Sequence, residues 1–295
     1  MPKVEANNVD CATDSKAENN NPQNNPPLKR ITKPDGETLA YRRSKARPST
    51  KGAGVVYLAG FADDMNGTKA LAIEEHCKQQ GRAFLRFDYS GNGGSSGDFK
   101  DGTISNWTAD AIFMIEQLTE GPQVLVGSSM GGWIMFLAAL ELKSRIVGLI
   151  GISASPDFTV IQIEKQLTSK HRSALEKDGF IEVPGHKGDG STATITKALI
   201  DDGRENLLLP GDDEIPLERQ NVRLIHGAKD HLVPADIALR LQDRLAGNDV
   251  QLTMIKDGDH DLRTPENLKV IMGTLDSISG LVTLANKGKA LIWHR

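Results

Sequence analysis

Cysteine is scarce in this chain: two residues in 295, Cys11 and Cys77. One falls in a polar N-terminal stretch and the other on a predicted helix, so a disulfide between them would staple nothing useful, and a reducing compartment fits best. No apolar run approaches the roughly 18 residues that a membrane-spanning helix needs. The N-terminus lacks the apolar core of a secretory signal. It carries Glu5, Asp10, Asp14 and Glu18 and no arginine before Arg30, which argues against a mitochondrial transit peptide. An excess of positive charge is also missing. Thirty-five Lys and Arg face 39 Asp and Glu, for a net charge of -4, so no basic surface for nucleic acid is expected. These absences predict a cytoplasmic protein with no nucleic-acid partner and no transmembrane segment.

With 295 residues, 38% of them apolar, the chain has material for one large α/β domain with an insertion, or for two small domains. Residues 1–27 are rich in Asn, Pro, Glu and Asp and hold almost no apolar clusters. Such a segment buries too little surface to offset its chain entropy, and a disordered tail is predicted there. Residues 28–295 are read as one folded domain.

Strand and helix signals alternate through that domain. Leu28 to Thr32 and Thr38 to Arg43 flank the turn sequence Pro34-Asp35-Gly36 and read as two edge strands. Val55 to Ala59 is a short buried strand, and Thr68 to Gln79 a helix with Ala70, Ile73 and Cys77 on one face. Ala83 to Phe87, Val124 to Val126, Ile146 to Ile152, Val222 to Ile225 and Val250 to Ile255 are further strands. Helices are predicted over 104–119, over the apolar run from Trp133 to Leu140, and from Pro265 onward. The alternation implies a mostly parallel sheet covered by helices on both faces. Residues 156–219 break the rhythm with two charged helical pieces, Ile163 to Lys177 and Thr194 to Asp202, and a Gly-rich loop from Gly185 to Gly190. An insertion at this point is expected to form a small helical cap over the C-terminal edge of the sheet, where ligands bind in open α/β folds. A long structural connection is the blander alternative.

Gly127-Ser128-Ser129-Met130-Gly131 lies between an apolar strand and an apolar helix. Gly-x-Ser-x-Gly in that context is a nucleophile elbow: the serine sits on a sharp turn with its hydroxyl projecting from the sheet. A Cβ at either glycine would collide with a neighbouring strand or helix. Outside that context the same five residues are an ordinary turn.

A serine hydroxyl needs a base, and the base needs an orienting carboxylate. Of seven histidines, His260 is the best base, in the loop between the last strand and the last helix. His226 ends a strand and reads as a packed core residue. Asp230 follows the preceding strand and is placed to accept from Nδ1 of His260. Asp259 and Asp261 rank below it, because adjacent side chains in a loop point apart. The order Ser129, Asp230, His260 is the one expected when an elbow strand precedes the acid and the base. Donors for the developing oxyanion are expected from the backbone N–H groups of Met130 and Phe61. The loop Gly91-Asn92-Gly93-Gly94 is no phosphate loop, since no Gly-Lys-Ser/Thr follows. A tight turn bringing Asp88 and Tyr89 beside the active site is expected instead.

These residues resemble the α/β-hydrolase superfamily over 28–290. Met65-Asn66-Gly67-Thr68-Lys69-Ala70, Arg86-Phe87-Asp88-Tyr89-Ser90-Gly91 and Gly127 to Gly132 are similar to one subgroup, that of the palmitoyl-protein thioesterase that also cleaves mycophenolic acid acyl-glucuronide. The resemblance implies a Ser129/Asp230/His260 triad, a helical cap, and thioesterase or esterase activity on an acylated protein or small molecule, without a cofactor or metal; since that thioesterase is mitochondrial, it also implies a mitochondrial location as the alternative to the cytoplasmic one. An amidase or peptidase of the same fold, and a non-catalytic ligand-binding module, are the competing expectations.

Overall fold

The computed structural model describes residues 25–50, 52–185 and 190–292. The tail expected over residues 1–27 lies, apart from its last three residues, outside the described residues. Six parallel strands form the centre: β3 (Gly54–Leu58), β4 (Phe84–Phe87), β5 (Gln123–Ser128), β6 (Ile146–Ile152), β9 (Asn221–Gly227) and β10 (Val250–Ile255). Two antiparallel strands, β1 (Lys29–Thr32) and β2 (Thr38–Ser44), extend one side, giving the order β1-β2-β4-β3-β5-β6-β9-β10. β2 is therefore not an edge strand. It pairs with β4, Tyr41 opposite Phe87, and β1 alone closes that side. The turn at Pro34-Asp35-Gly36 identifies the β1–β2 hairpin, but the partner on the other side of β2 is a strand about 40 residues later in the chain.

The innermost strands β3, β5 and β6 are largely apolar because both faces are covered. Val55 to Leu58 and Val124 to Val126 are buried without a break. Helix α3 (Met130–Glu141) is buried nearly all round, with Trp133, Ile134, Met135 and Phe136 enclosed. It packs between β5 and helix α2 (Ile104–Leu118). Thr103 caps α2 by accepting from the Asn106 N–H. Helix α1 (Thr68–Gln79) runs between β3 and β4, and lays Ala70, Ile73 and Cys77 into the core. Each such fully buried large side chain contributes about 1.5–3 kcal/mol of transfer free energy.

Between β6 and β9 the chain forms a π-helical turn (Thr159–Glu164), α4 (Ser169–Asp178), the hairpin β7 (Phe180–Pro184) with β8 (Thr192–Thr196), and α5 (Lys197–Glu205). The hairpin departs from the helical reading of this region. Residues 186–189 of the expected Gly-rich loop lie outside the described residues. Thr194 to Thr196, predicted as helix, finish β8, and Thr196 caps α5 through the Leu199 N–H. The helix expected over Ile163 to Lys177 is divided at Thr168, which makes a capping box with His171. α6 (Ala235–Arg244) and α7 (Pro265–Ile292) follow β9 and β10.

Candidate active site

The elbow occupies the C-terminal end of β5. Ser129 has φ 53° and ψ -121°, a conformation that costs on the order of 1–3 kcal/mol and persists where the surroundings enforce it. Here they do. The Ser129 N–H donates to the Ile152 carbonyl at 3.0 Å, and the Ser129 carbonyl accepts from Ser155 at 3.1 Å and Gly132 at 2.8 Å. The glycines are steric requirements. A Cβ on Gly127 would stand 2.3 Å from the Gly131 carbonyl oxygen, and one on Gly131 would stand 2.1 Å from that of Leu58. The first contact is with the helix, the second with strand β3.

Three loops from the same sheet edge converge. His260 Nε2 lies 3.1 Å from Ser129 Oγ, and His260 Nδ1 lies 2.8 Å from Asp230 Oδ2. The other Asp230 oxygen accepts from the backbone N–H groups of Leu232 and Val233, at 2.9 and 2.8 Å. Burial pushes the Asp230 carboxyl up, but the His260 contact and these two amides outweigh it and hold it below the ordinary carboxylate value. Asp230 is thus kept ionised and aimed. His226 is buried and contacts the Val233 carbonyl at 2.9 Å through Nε2, as a core residue should. Asp259 accepts from the Leu262 N–H within its own loop, and Asp261 pairs with Arg263.

Met130 N–H opens helix α3, where the helix dipole favours negative charge. Gly60 brings the loop after β3 against the elbow: a Cβ there would sit 3.5 Å from that of Ser129. The amides of Phe61 and Met130 donate to no protein acceptor among the described residues. The loop carrying Phe61 is tied down from β4. Buried Arg86 donates to the Met65 carbonyl and to Asn66, and Asp88 accepts from the Met65 N–H at 2.7 Å. Asp88 also accepts from Gly94, and burial raises its carboxyl above the ordinary value. Asp88 and Tyr89 do not reach the active site as expected. Asp88 staples two loops, and Tyr89 packs against Phe87 and Trp107. Gly93, at φ 50°, lies so close to Asp88 that any side chain would collide with the carboxylate, and this draws the pair away from the cavity.

A cavity of about 340 Å³ opens at Ser129 and His260. Phe61, Phe158, Ile163, Val183 and Ile195 give it an apolar wall, and the last four belong to the segment between β6 and β9. Phe61 and Phe158 meet with tilted rings at 5.6 Å, and Trp133 supports Phe158 edge-on at 5.9 Å. Asp63, Lys69 and Asp261 line the same cavity. The sequence reading missed Ser153, whose Oγ donates to the His260 carbonyl at 2.8 Å, and Asp157, whose two oxygens accept from Leu208 and Leu209 at 2.8 Å each. Both have positive φ, 45° and 58°, which no spacing motif announces. Among the described residues no group of His, Cys, Asp and Glu could hold a metal ion, and no helix is long and apolar enough to cross a membrane.

A family model described as serine aminopeptidase, S33, matches residues 49–177. A Bos taurus protein named mitochondrial palmitoyl-protein thioesterase ABHD10 is 36% identical over 248 residues, 84% of this chain and 78% of that one. The chain belongs to the ABHD10 family of α/β-hydrolases. The solved structure of mouse ABHD10 matches with a TM-score of 0.76 at 34% identity, over 85% of this chain and 98% of that one. A protein from Agrobacterium vitis S4 matches with a TM-score of 0.79 at 32% identity, over 86% and 99%. As an ABHD10-family member the chain is a hydrolase, and its mostly parallel eight-stranded sheet is the one these relatives share.

Proposed function

We propose that this hydrolase cleaves acyl thioesters and esters through an acyl-Ser129 intermediate, with Asp230 and His260 completing the triad. The observation that carries the reading is the chain of contacts from Asp230 through His260 to Ser129 Oγ, at 2.8 and 3.1 Å, at the mouth of an apolar-walled cavity. His260 Nε2 takes the hydroxyl proton as Oγ attacks the acyl carbon. Ionised Asp230 holds the tautomer with Nδ1 protonated and stabilises the imidazolium that forms. The N–H groups of Met130 and Phe61 receive the oxyanion. His260 then gives its proton to the leaving sulfur or oxygen, and water, activated by the same imidazole, releases the acid. We read the segment between β6 and β9 as a cap whose apolar side takes the acyl chain.

The relatives named as palmitoyl-protein thioesterases favour a long acyl group on a cysteine thiol. The matched family's aminopeptidase description keeps amide cleavage as a second reading. An amide nitrogen leaves poorly and needs an aligned backbone, a demand that a thioester does not make. One acyl group placed on a thiol, an alcohol and an amine decides between them: turnover of the first two without the third is expected, and equal amide turnover would replace the thioesterase reading with an amidase. The relatives are named as mitochondrial, so in this reading that compartment displaces the cytoplasmic one expected from the sequence. A fluorescent fusion of the full chain tests it.

A further inference from the structure

Lys69 stands on the second residue of α1, just after the loop that carries Phe61. It is 7% exposed and lines the cavity shared by Ser129 and His260. Its Nζ donates to the Asp261 carbonyl at 2.6 Å. An ammonium has three N–H donors, and among the described residues that carbonyl is the acceptor recorded for them. Burial lowers the Lys69 pKa from the ordinary lysine value, while the charges of Asp261 and Asp63 draw it back. Burying an amine at the floor of a reactive cavity is costly without partners, and the fold retains it beside His260.

We propose that Lys69 determines leaving-group specificity, donating a hydrogen bond to an uncharged acceptor oxygen, an amide or ester carbonyl, carried a few atoms from the scissile sulfur or oxygen. The inference rests on the reading of Ser129 as nucleophile and His260 as base. His260 must hand its proton to the leaving atom, so the leaving group lies along the His260 loop. Asp261 is the next residue in that loop, and Lys69 is bonded to it. The apolar wall of Phe61, Phe158 and Ile163 receives the acyl chain on the other side. Asp63 and Asp261 line the cavity with Lys69, and Arg263 pairs with Asp261, so two carboxylates already balance the two cations and an anionic leaving group gains no net attraction. A neutral carbonyl needs only the donor. A cysteine within a peptide presents such a carbonyl, and a bare alkyl thiol does not.

The test compares octanoyl thioesters of ethanethiol, N-acetylcysteamine and 3-mercaptopropionate on the full chain. The wild type is expected to show its highest kcat/KM with the amide-bearing thiol. In Lys69→Met the ratio of that value to the ethanethiol value is expected to fall about tenfold, the scale of a hydrogen bond from a charged donor. Lys69→Arg, which keeps a donor, is expected to hold the ratio within about threefold of wild type. An equal loss on both thioesters in Lys69→Met, leaving the ratio unchanged, would mean that the lysine merely holds the His260 loop, and would overturn the proposal. A wild-type preference for the carboxylate-bearing thiol would also overturn it, and this comparison stands even where the Met variant fails to fold. Hydrolysis of none of the three by the wild type would instead overturn the thioesterase reading itself.

Discussion

Ser129 Oγ lies 3.1 Å from His260 Nε2, and His260 Nδ1 lies 2.8 Å from Asp230. In the proposed mechanism Ser129→Ala lowers turnover by ~10⁴-fold or more with the fold intact; retention of a tenth of wild-type turnover would remove Ser129 from its role. Asp230→Asn is expected to cost more than about 100-fold, because an amide stabilises the wrong tautomer. Asp259→Asn, which disturbs a contact inside its own loop, should cost less than about tenfold. Steady-state kinetics that rank the two variants in the opposite order would transfer the acid to the His260 loop. Asp230 also carries a pH signature. Its carboxyl lies below the ordinary value in the folded chain, so its stabilisation is complete above the unfolded value near ~4 and is lost as pH falls through the lower folded value. The stability gap between wild type and Asp230→Asn should thus be constant above about pH 5 and narrow in more acid solution. Urea melts from pH 3 to 7 measure it, and a gap that widens on acidification would contradict the assignment. Ser129, Asp230 and His260 were legible in the sequence because each sits at a fixed offset past an apolar run. Lys69 and Ser153 were not, since each reaches the His260 loop from a distant part of the chain and no local pattern marks that meeting.

At the scale of elements, the elbow and the inserted segment obey different rules. Gly131→Ala would drive a methyl into the Leu58 carbonyl oxygen at 2.1 Å, backbone against backbone, where nothing can yield cheaply. A loss of about 3 kcal/mol or more is expected, at the upper end for overpacked sites, and a thermal melt reads it; a variant as stable as wild type would mean that the elbow is built differently. In the inserted segment Asp157 joins entry to exit, accepting from Leu208 and Leu209 while fully buried. Asn tolerates the positive φ at this position but has a single acceptor oxygen. Asp157→Asn should cost about 1–3 kcal/mol through the orphaned amide, and raise KM for long acyl chains more than for short ones. Equal KM changes for both would separate Asp157 from the acyl pocket. The helices and parallel strands of the core were legible because burial on one stripe or both faces writes a period into the sequence. The hairpin of β7 and β8 was not, because β7 is only five residues long and β8, Thr192 to Thr196, is threonine-rich with a single large apolar residue, too little pattern to set a register.

Across the whole molecule, the sheet delivers Ser129, Asp230 and His260 to one edge from β5, β9 and β10, and the inserted segment adds a small second cluster of Leu175, Ile181, Ile195 and Ile200. Four buried side chains make a weak core beside the main one, so this segment should open locally before the sheet does. Hydrogen exchange is expected to be faster in β7, β8 and α4 than in β5, β6 and β9, and equal protection would show one cooperative unit. The alternation of elements made the parallel sheet legible from the sequence, whereas the internal position of β2 depended on a pairing far along the chain. The claim on which everything else depends is that Ser129 is the activated nucleophile. Reaction of the full chain with a fluorophosphonate, followed by peptide mapping, tests it directly. The account requires one adduct on Ser129 that forms in the wild type and is lost in both Ser129→Ala and His260→Ala. An adduct on another residue, or undiminished labelling of Ser129 in the His260→Ala variant, would contradict it.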